Sequence, residues 1–294
     1  MRFALTGLVA GLLCMPIASQ DSTKLSFGTY SFRKATAVWK QFQPATMELS
    51  RLLTAELNQP AEITLVVTKT YEECLAALLA GRIDLARLGP ASYVVAKQRN
   101  PKIQLLASEH EDSRGVGLIV VAADSDIKSL ADLAGKRFAF GDQQSTIGRH
   151  LSQSELVKAG VFAKDLASFK YLGRHDIVFK AVELGDFDAG ALHKATFTEL
   201  NRSAQKKLRI LHSFDNVSKP WVARTGLPKQ TLTSVRSSLL SLSAKPALKA
   251  LKVPGFVAAS DKDYDLVRQG MKNAKRFDPK VAQPAPSVPP TPGK

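Results

Sequence analysis

Cysteine is almost missing from this sequence of 294 residues, which has only Cys14 and Cys74. Cys14 lies in an apolar leader, so the rest of the chain keeps one thiol and an internal disulfide is excluded. Leu13 is larger than the small residue that precedes a lipid-bearing cysteine, so no lipid anchor is expected. Five histidines and no cysteine pair offer no zinc-ligand spacing. Paired catalytic carboxylates and nucleophile–base arrangements are missing as well. The expectation is therefore a protein that binds and does not catalyse, with no cofactor and no metal. After the leader, no apolar run approaches the roughly 20 residues of a spanning helix. Acidic side chains are the minority, 26 against 41 basic ones, for a net charge of +15. That surplus favours anionic partners. The basic residues are scattered, without the clustered stripe or stacking motif of a nucleic-acid surface, so nucleic acid is not an expected partner. A plain solvated basic surface is the other reading of the charge.

What is present is an ordinary globular composition, 45% hydrophobic and 23% charged, and enough length for two domains. Met1 and Arg2 precede an apolar stretch, Phe3 to Ile17, and then the small residues Ala18 and Ser19. That order predicts a cleaved signal peptide over 1–19 and export to the periplasm. At the other end, Pro279 to Lys294 holds six of the fifteen prolines. With little apolar surface to bury, 278–294 is expected to be a disordered tail.

Between these ends, strand-like and helix-like stretches alternate, which predicts an α/β architecture. Strands are expected at Leu25–Gly28, Glu62–Thr68, Ile83–Leu88, Ile103–Ser108, Gly117–Ala123, Arg137–Phe140, Ser168–Leu172, Asp188–Leu192, Leu208–Ser213 and Trp221–Arg224. Helices are expected at Pro44–Leu57, Tyr71–Leu79, Ala91–Gln98 and Asp176–Leu184, after the turn at Ser145, and through the remainder to Phe277. Cys74 falls on the apolar face of one of them, as a small buried hydrophobe.

The segment Phe140-Gly141-Asp142-Gln143-Gln144-Ser145-Thr146-Ile147-Gly148 carries the chemistry. A strand ends, two hydroxyl residues follow, and a helix begins. The first helical turn leaves N–H groups unpaired and carries partial positive charge, so an anion fits there. Ser145 and Thr146 add hydroxyl donors, and Gly148 allows close approach. The alternative is that Ser145 only caps its own helix. Leu88-Gly89-Pro90-Ala91-Ser92-Tyr93 and Thr68-Lys69-Thr70-Tyr71 are two more strand–turn–helix junctions. Ligands of open α/β sheets sit beyond such strand ends. Each junction taken singly also reads as an ordinary turn with a packed tyrosine.

These residues carry a resemblance. Gly81-Arg82-Ile83-Asp84, Leu88-Gly89-Pro90 with Tyr93, Leu130 to Lys136, Ser145 to Gly148, Gly173-Arg174-His175-Asp176, Gly185 to Ala191 and Gly255-Phe256 follow one another in a characteristic order. In that order the chain resembles the phosphate/phosphite/phosphonate-binding proteins of periplasmic ABC importers. The resemblance implies a type II binding-protein fold, each lobe a mixed sheet flanked by helices. Lobe 1 takes 24–117 and 219–277, and lobe 2 takes 118–218. The two crossings fall near Val116–Val121 and Ser218–Ala223, with Trp221 packed at the hinge. It also implies a small anionic ligand, an inner-membrane ABC permease as partner, and a monomer. The ligand-binding residues it implies are Ser145, Thr146, the backbone of Ile147, Gly148, Tyr71, Tyr93, His175 and Asp188. Tyr30 joins them by position. The family often has a hydroxyl residue where this chain has Ile147 and an aromatic where it has Leu88. His175 also reads as a structural histidine, and Asp188 as a cap or ion-pair partner within lobe 2. At the cleft, Asp188 would accept a hydrogen bond from a protonated oxyanion or an amine. The alternatives are another small anion, such as a sulfonate, or a sensing module for a membrane signalling protein.

Overall fold

The computed structural model describes residues 22–110, 115–205 and 207–279. The expected leader and nearly all of the expected tail lie outside them. Eleven strands among these residues form two mixed sheets. The first is built from β1 (Thr23–Tyr30), β2 (Ala61–Thr68), β3 (Leu85–Arg87), β4 (Gln104–His110), β10 (Pro220–Ala223) and β11 (Gly255–Val257), in the order β11-β4-β10-β3-β1-β2. The second is built from β5 (Gly117–Ala122), β6 (Arg137–Phe140), β7 (Ser168–Tyr171), β8 (Ala189–His193) and β9 (Leu208–Phe214), in the order β7-β6-β8-β5-β9. This is the expected two-lobe α/β fold.

The chain passes between lobes twice, between His110 and Gly117 and between Phe214 and Pro220. Both passages lie a few residues before the expected crossings. The apolar run at Leu118–Val121 is fully buried strand with no exposed side chain, and it pairs on both edges with β8 and β9. A segment that buries both faces belongs inside a sheet.

Helix α1 (Ala35–Leu57) begins nine residues earlier than its expected start, with Pro44 inside it. Val38, Phe42, Ala45, Leu49 and Leu53 recur at helical spacing and are all buried, so one apolar stripe runs through the proline. Pro44 forfeits one backbone donor, and the burial on either side of it outweighs that loss. Helices α2 (Tyr71–Leu79), α3 (Pro90–Arg99), α4 (Ser152–Lys158) and α5 (His175–Glu183) follow as expected, and α6 (Lys194–Ser203) is an element the sequence pattern did not reveal. The C-terminal part is not all helical, since β11 separates α7 (Lys229–Ser241) and α8 (Lys245–Leu251) from α9 (Asp265–Ala274). No helix among the described residues is long and apolar enough to cross a membrane.

Helix α9 departs from the expected lobe division. Val267 and the neighbouring Tyr264 belong to the core around Tyr93 in the first lobe. The other side of α9 lies on the second lobe. Gly270 lets Leu151 approach so closely that a Cβ there would meet it at 2.4 Å. Asn273 donates to Ser154 Oγ at 3.1 Å. Phe277 is buried in the second-lobe core against Phe140 and Phe169. The helix therefore braces both lobes.

Candidate functional site

Six helical segments start where a strand ends: α1 after β1, α2 after β2, α3 after β3, a π-helical turn at Thr146–Leu151 after β6, α5 after β7, and α6 after β8. Within each sheet these strands run parallel. Their carboxyl ends, and the positive ends of the helices after them, therefore collect on one side of each lobe. The two collections face each other. Thr146 Oγ1 accepts a hydrogen bond from the Ala91 N–H across the cleft at 2.9 Å. A Cβ on Gly89 would lie 3.0 Å from the Tyr30 hydroxyl and 3.8 Å from Thr146 Oγ1.

The hydroxyl turn is buried and strongly constrained. Ser145 Oγ accepts from Gly148 N–H at 2.9 Å, so its capping role is real. The Ser145 carbonyl accepts from His150 N–H at 3.2 Å, five residues on, which gives the turn its π character. The N–H groups of Thr146 and Ile147 have no acceptor inside their own helix. The Ile147 side chain lies in the lobe core, so only its backbone faces the turn's mouth. This explains how an apolar residue is accommodated here. Gly148 serves a different need from the one expected. Its Cα packs on the Gly141 backbone, where a Cβ would come within 2.8 Å of Gly141 Cα, and its carbonyl accepts from Gly141 N–H at 2.8 Å. The missing side chain closes the turn onto its own strand.

The first lobe brings Tyr30 and Tyr71 to this turn, with ring centroids 3.7 Å apart. Burial raises both hydroxyls above their ordinary titration range. Tyr71 raises Tyr30 further, while Tyr30 and Ser145 pull Tyr71 back and Asp142 pushes it up. Both tyrosines therefore present neutral hydroxyls. Arg87 finds a role as the partner of Glu109. Its guanidinium makes a two-pronged bond to that carboxylate, one prong at 2.9 Å, and lies over the Phe42 ring. Trp221 Nε1 donates to the same carboxylate at 3.1 Å and its ring stacks on Phe27. Trp221 is thus a core residue at the foot of the second passage. Burial pushes the Glu109 carboxyl up, but Arg87, Lys219 and Trp221 together hold it below the usual carboxylate value.

His175 begins α5 beside the turn, with its Cε1 3.6 Å from where a Gly141 Cβ would stand. Its Nδ1 is buried and has no hydrogen-bond partner among the described residues. Burial first, and Lys219 second, lower its pKa to about 4. His193, at the end of β8, lies 6.4 Å from His175 between ring centroids. Burial, Lys219 and His175 lower it to about 3.

The structure does not bring Tyr93 and Asp188 to this site. Tyr93 is fully buried against Tyr264 and donates to Asp261 at 2.7 Å, tying α3 to the segment before α9. Asp188 precedes the amino end of β8. It accepts from the Arg137 N–H and guanidinium, both at 2.7 Å, at the amino end of β6. The turn follows the carboxyl end of β6, so Asp188 stands at the far end of the sheet, and the ion-pair reading is the correct one. His193, Lys219 and the Ala91 N–H are the cleft groups that sequence reasoning passed over. His193 was legible as the last residue of a strand running toward the site. Lys219 and Ala91 needed the three-dimensional arrangement.

A sequence profile for ABC transporter, phosphonate, periplasmic substrate-binding proteins matches residues 27–264. A probable ABC transporter phosphite binding protein of Prochlorococcus marinus is 26% identical over 285 residues, covering 90% of this chain and 94% of that one. The phosphate-import protein of Mycolicibacterium smegmatis is 32% identical over 147 residues, 46% of each chain. The solved structure of the Prochlorococcus protein in complex with methylphosphonate superposes with a TM-score of 0.74 at 24% identity, covering 86% of this chain and 99% of that one. The match runs through both lobes, the hydroxyl turn and the last passage. The chain belongs to the family of periplasmic substrate-binding proteins of phosphonate ABC transporters.

Proposed function

We propose that this protein captures phosphonate, phosphite or phosphate between its lobes and presents it to an inner-membrane permease, as a periplasmic monomer freed of its leader. The observation that carries the reading is the bond from Ala91 N–H to Thr146 Oγ1 at the buried hydroxyl turn. A hydroxyl oxygen that accepts from a backbone N–H still has its own proton to donate. Ser145 and Thr146 are both in that position, one accepting from Gly148 and the other from Ala91. Both hydroxyl protons, the first-turn N–H groups and the neutral tyrosine hydroxyls are donors, which is what an oxyanion requires. The bond also joins the lobes, so it supports closure over the ligand.

Thermal unfolding with a panel of phosphate, phosphite, methylphosphonate, sulfate and simple sulfonates tests this. A phosphorus oxyanion at a hundred times its dissociation constant stabilises the fold by about 2.7 kcal/mol. A panel in which only sulfonates stabilise the protein, or none of these anions does, rejects the reading. Mass spectrometry of the exported protein should find a start near Gln20 or Asp21.

A further inference from the structure

We infer that the rim of the first lobe around Phe32, Arg33, Lys34, Trp39 and Lys40 is a docking surface for an acidic periplasmic loop of the membrane permease. The inference rests on the import reading above and adds where the receiving protein holds on and by what chemistry.

The segment leaves the cleft directly. Tyr30 ends β1 with its hydroxyl beside Gly89, and Ser31 N–H donates to the Thr68 carbonyl at the neighbouring strand end at 3.0 Å. Phe32 to Lys34 then form the lip of the first lobe, and α1 starts behind them. A protein that takes the ligand from the cleft must cover this lip. Phe32 and Trp39 are 46% and 52% exposed, and no other aromatic side chain among the described residues is as open to water. The apolar stripe of α1 faces the core, so neither ring is needed to hold the fold. Trp39 stands at one end of a groove of about 440 Å³ between α1 and the edge strand β2, and the exposed Met47 lines it further along. An open tryptophan at the mouth of a groove is the usual anchor of a protein interface.

The charge around the rings is of one sign. Arg33 donates to Gln41 at 2.9 Å, and none of Arg33, Lys34 and Lys40 has a carboxylate partner among the described residues. Helix α8 adds to this charge. Strand β10 is antiparallel to both β3 and β4, so these two run the same way and His110 marks the cleft end of β4. Strand β11 starts opposite His110 at Gly255, just after the exposed Lys249 and Lys252 at the end of α8. The two stretches that build this side, Ser22 to Met47 and Asn216 to Ser260, contain no Asp or Glu. On the neighbouring elements, Glu48 holds Arg51, Glu72 holds Arg99, and Glu73 accepts from Lys69 N–H. Glu62 lies at the amino end of β2, away from the cleft. Such a rim selects an acidic partner by complementarity. A helix that lies on lipid turns a continuous apolar face to the membrane. Helix α1 turns that face inward and leaves separate rings among cations, which suits a protein partner.

Spheroplasts of the source organism deleted for this protein, supplied with purified protein and radiolabelled phosphate or methylphosphonate, test this. Uptake should saturate with the concentration of added protein, and the half-saturating concentration should rise with sodium chloride as rim charges are screened. The double variant Lys34→Glu, Lys40→Glu and the single variant Trp39→Ser should each raise that concentration about tenfold or more. An acidic residue suits a helix start, so Lys34→Glu keeps α1. Calorimetry should find the anion affinity of both variants equal to that of the wild type, which also shows that they fold. Variants that restore uptake at the wild-type concentration overturn the docking surface and leave the import reading standing. Loss of binding to phosphatidylglycerol vesicles in those same variants, with uptake unchanged, overturns it in favour of a lipid contact. Wild-type protein that binds these anions but restores no uptake overturns the import reading and this inference with it.

Discussion

Replacing Thr146 with valine keeps the side-chain shape and removes one oxygen. In the closed protein that oxygen accepts the Ala91 N–H at 2.9 Å, and the residue is buried. Without it the N–H is enclosed with no acceptor, at a cost of about 1–3 kcal/mol. When the lobes part, water can reach the N–H and that cost disappears, so it falls on closure and leaves folding almost untouched. The hydroxyl proton offered to the ligand is lost as well, and a hydrogen bond to a charged group contributes about 1.5–3 kcal/mol. The two losses share one atom and will not add in full. Taking about 1.5–3 kcal/mol as the combined floor, affinity for phosphate or methylphosphonate should fall roughly ten- to 150-fold. Calorimetry measures this directly, and the melting temperature of the unliganded protein should barely move. Thr146→Ser, which keeps the oxygen, should recover most of the affinity. A Thr146→Val protein that binds its anion within twofold of the wild type would refute the placement of this hydroxyl at the ligand.

Gly148→Ala should destabilise the fold itself, since its Cβ meets Gly141 backbone at 2.8 Å and neither strand end can yield; overpacking of this kind costs about 1–3 kcal/mol, visible as a lower urea midpoint, and an unchanged midpoint would return Gly148 to a purely ligand-facing role. Asp188→Asn should leave anion affinity unchanged and cost at most about 1 kcal/mol of stability, because the pair with Arg137 is half exposed; a loss of affinity would place it back at the cleft. Acid should weaken the protein through three half-buried histidines. His150 and His193 are lowered to about 3 and His175 to about 4, chiefly by burial, so the unfolded chain takes up protons first. Stability is then full above about pH 6.5 and falls as pH drops toward 4. Circular dichroism across that range should show the decline, and His150→Gln should flatten it.

The sequence made most of the scaffold legible because several strands are short apolar runs buried on both faces. Gly117–Ala122 is one of them, and its apolar run left only its role, strand or crossing, to be decided. Helix α1 was cut short at Pro44, where a local rule about proline prevailed over a stripe from Val38 to Leu53 that spans it. Helix α6 is polar on the whole and has a single buried residue, Asn201, so its amphipathic pattern lacks the buried large apolar side chains that mark a core helix. Helix α9 has a clear period, but periodicity does not say which lobe receives each face. At the site, Ser145 and Thr146 were readable because a helix start is a local feature. The placement of Asp188 depended on which end of β8 faces the cleft. The resemblance gave it a role that the direction of the strand denies, while His193, four residues past the start of the same strand, lies at the right end.

The position of β10 constrains how the chain can assemble. It is the strand that joins β3 to β4, hydrogen-bonded to both, yet it lies more than a hundred residues after them. A chain emerging from its amino end produces β1 to β4 early and must leave a vacant slot in the middle of that sheet until Ala223 appears. The second sheet, from Gly117 to Phe214, is uninterrupted and can complete itself in the meantime. Vectorial synthesis therefore favours a chain whose middle consolidates first, with the amino-terminal lobe zipped shut by its last third. Truncation anywhere before Pro220 leaves two hydrogen-bonding edges of β3 and β4 bare, the kind of surface that recruits other strands.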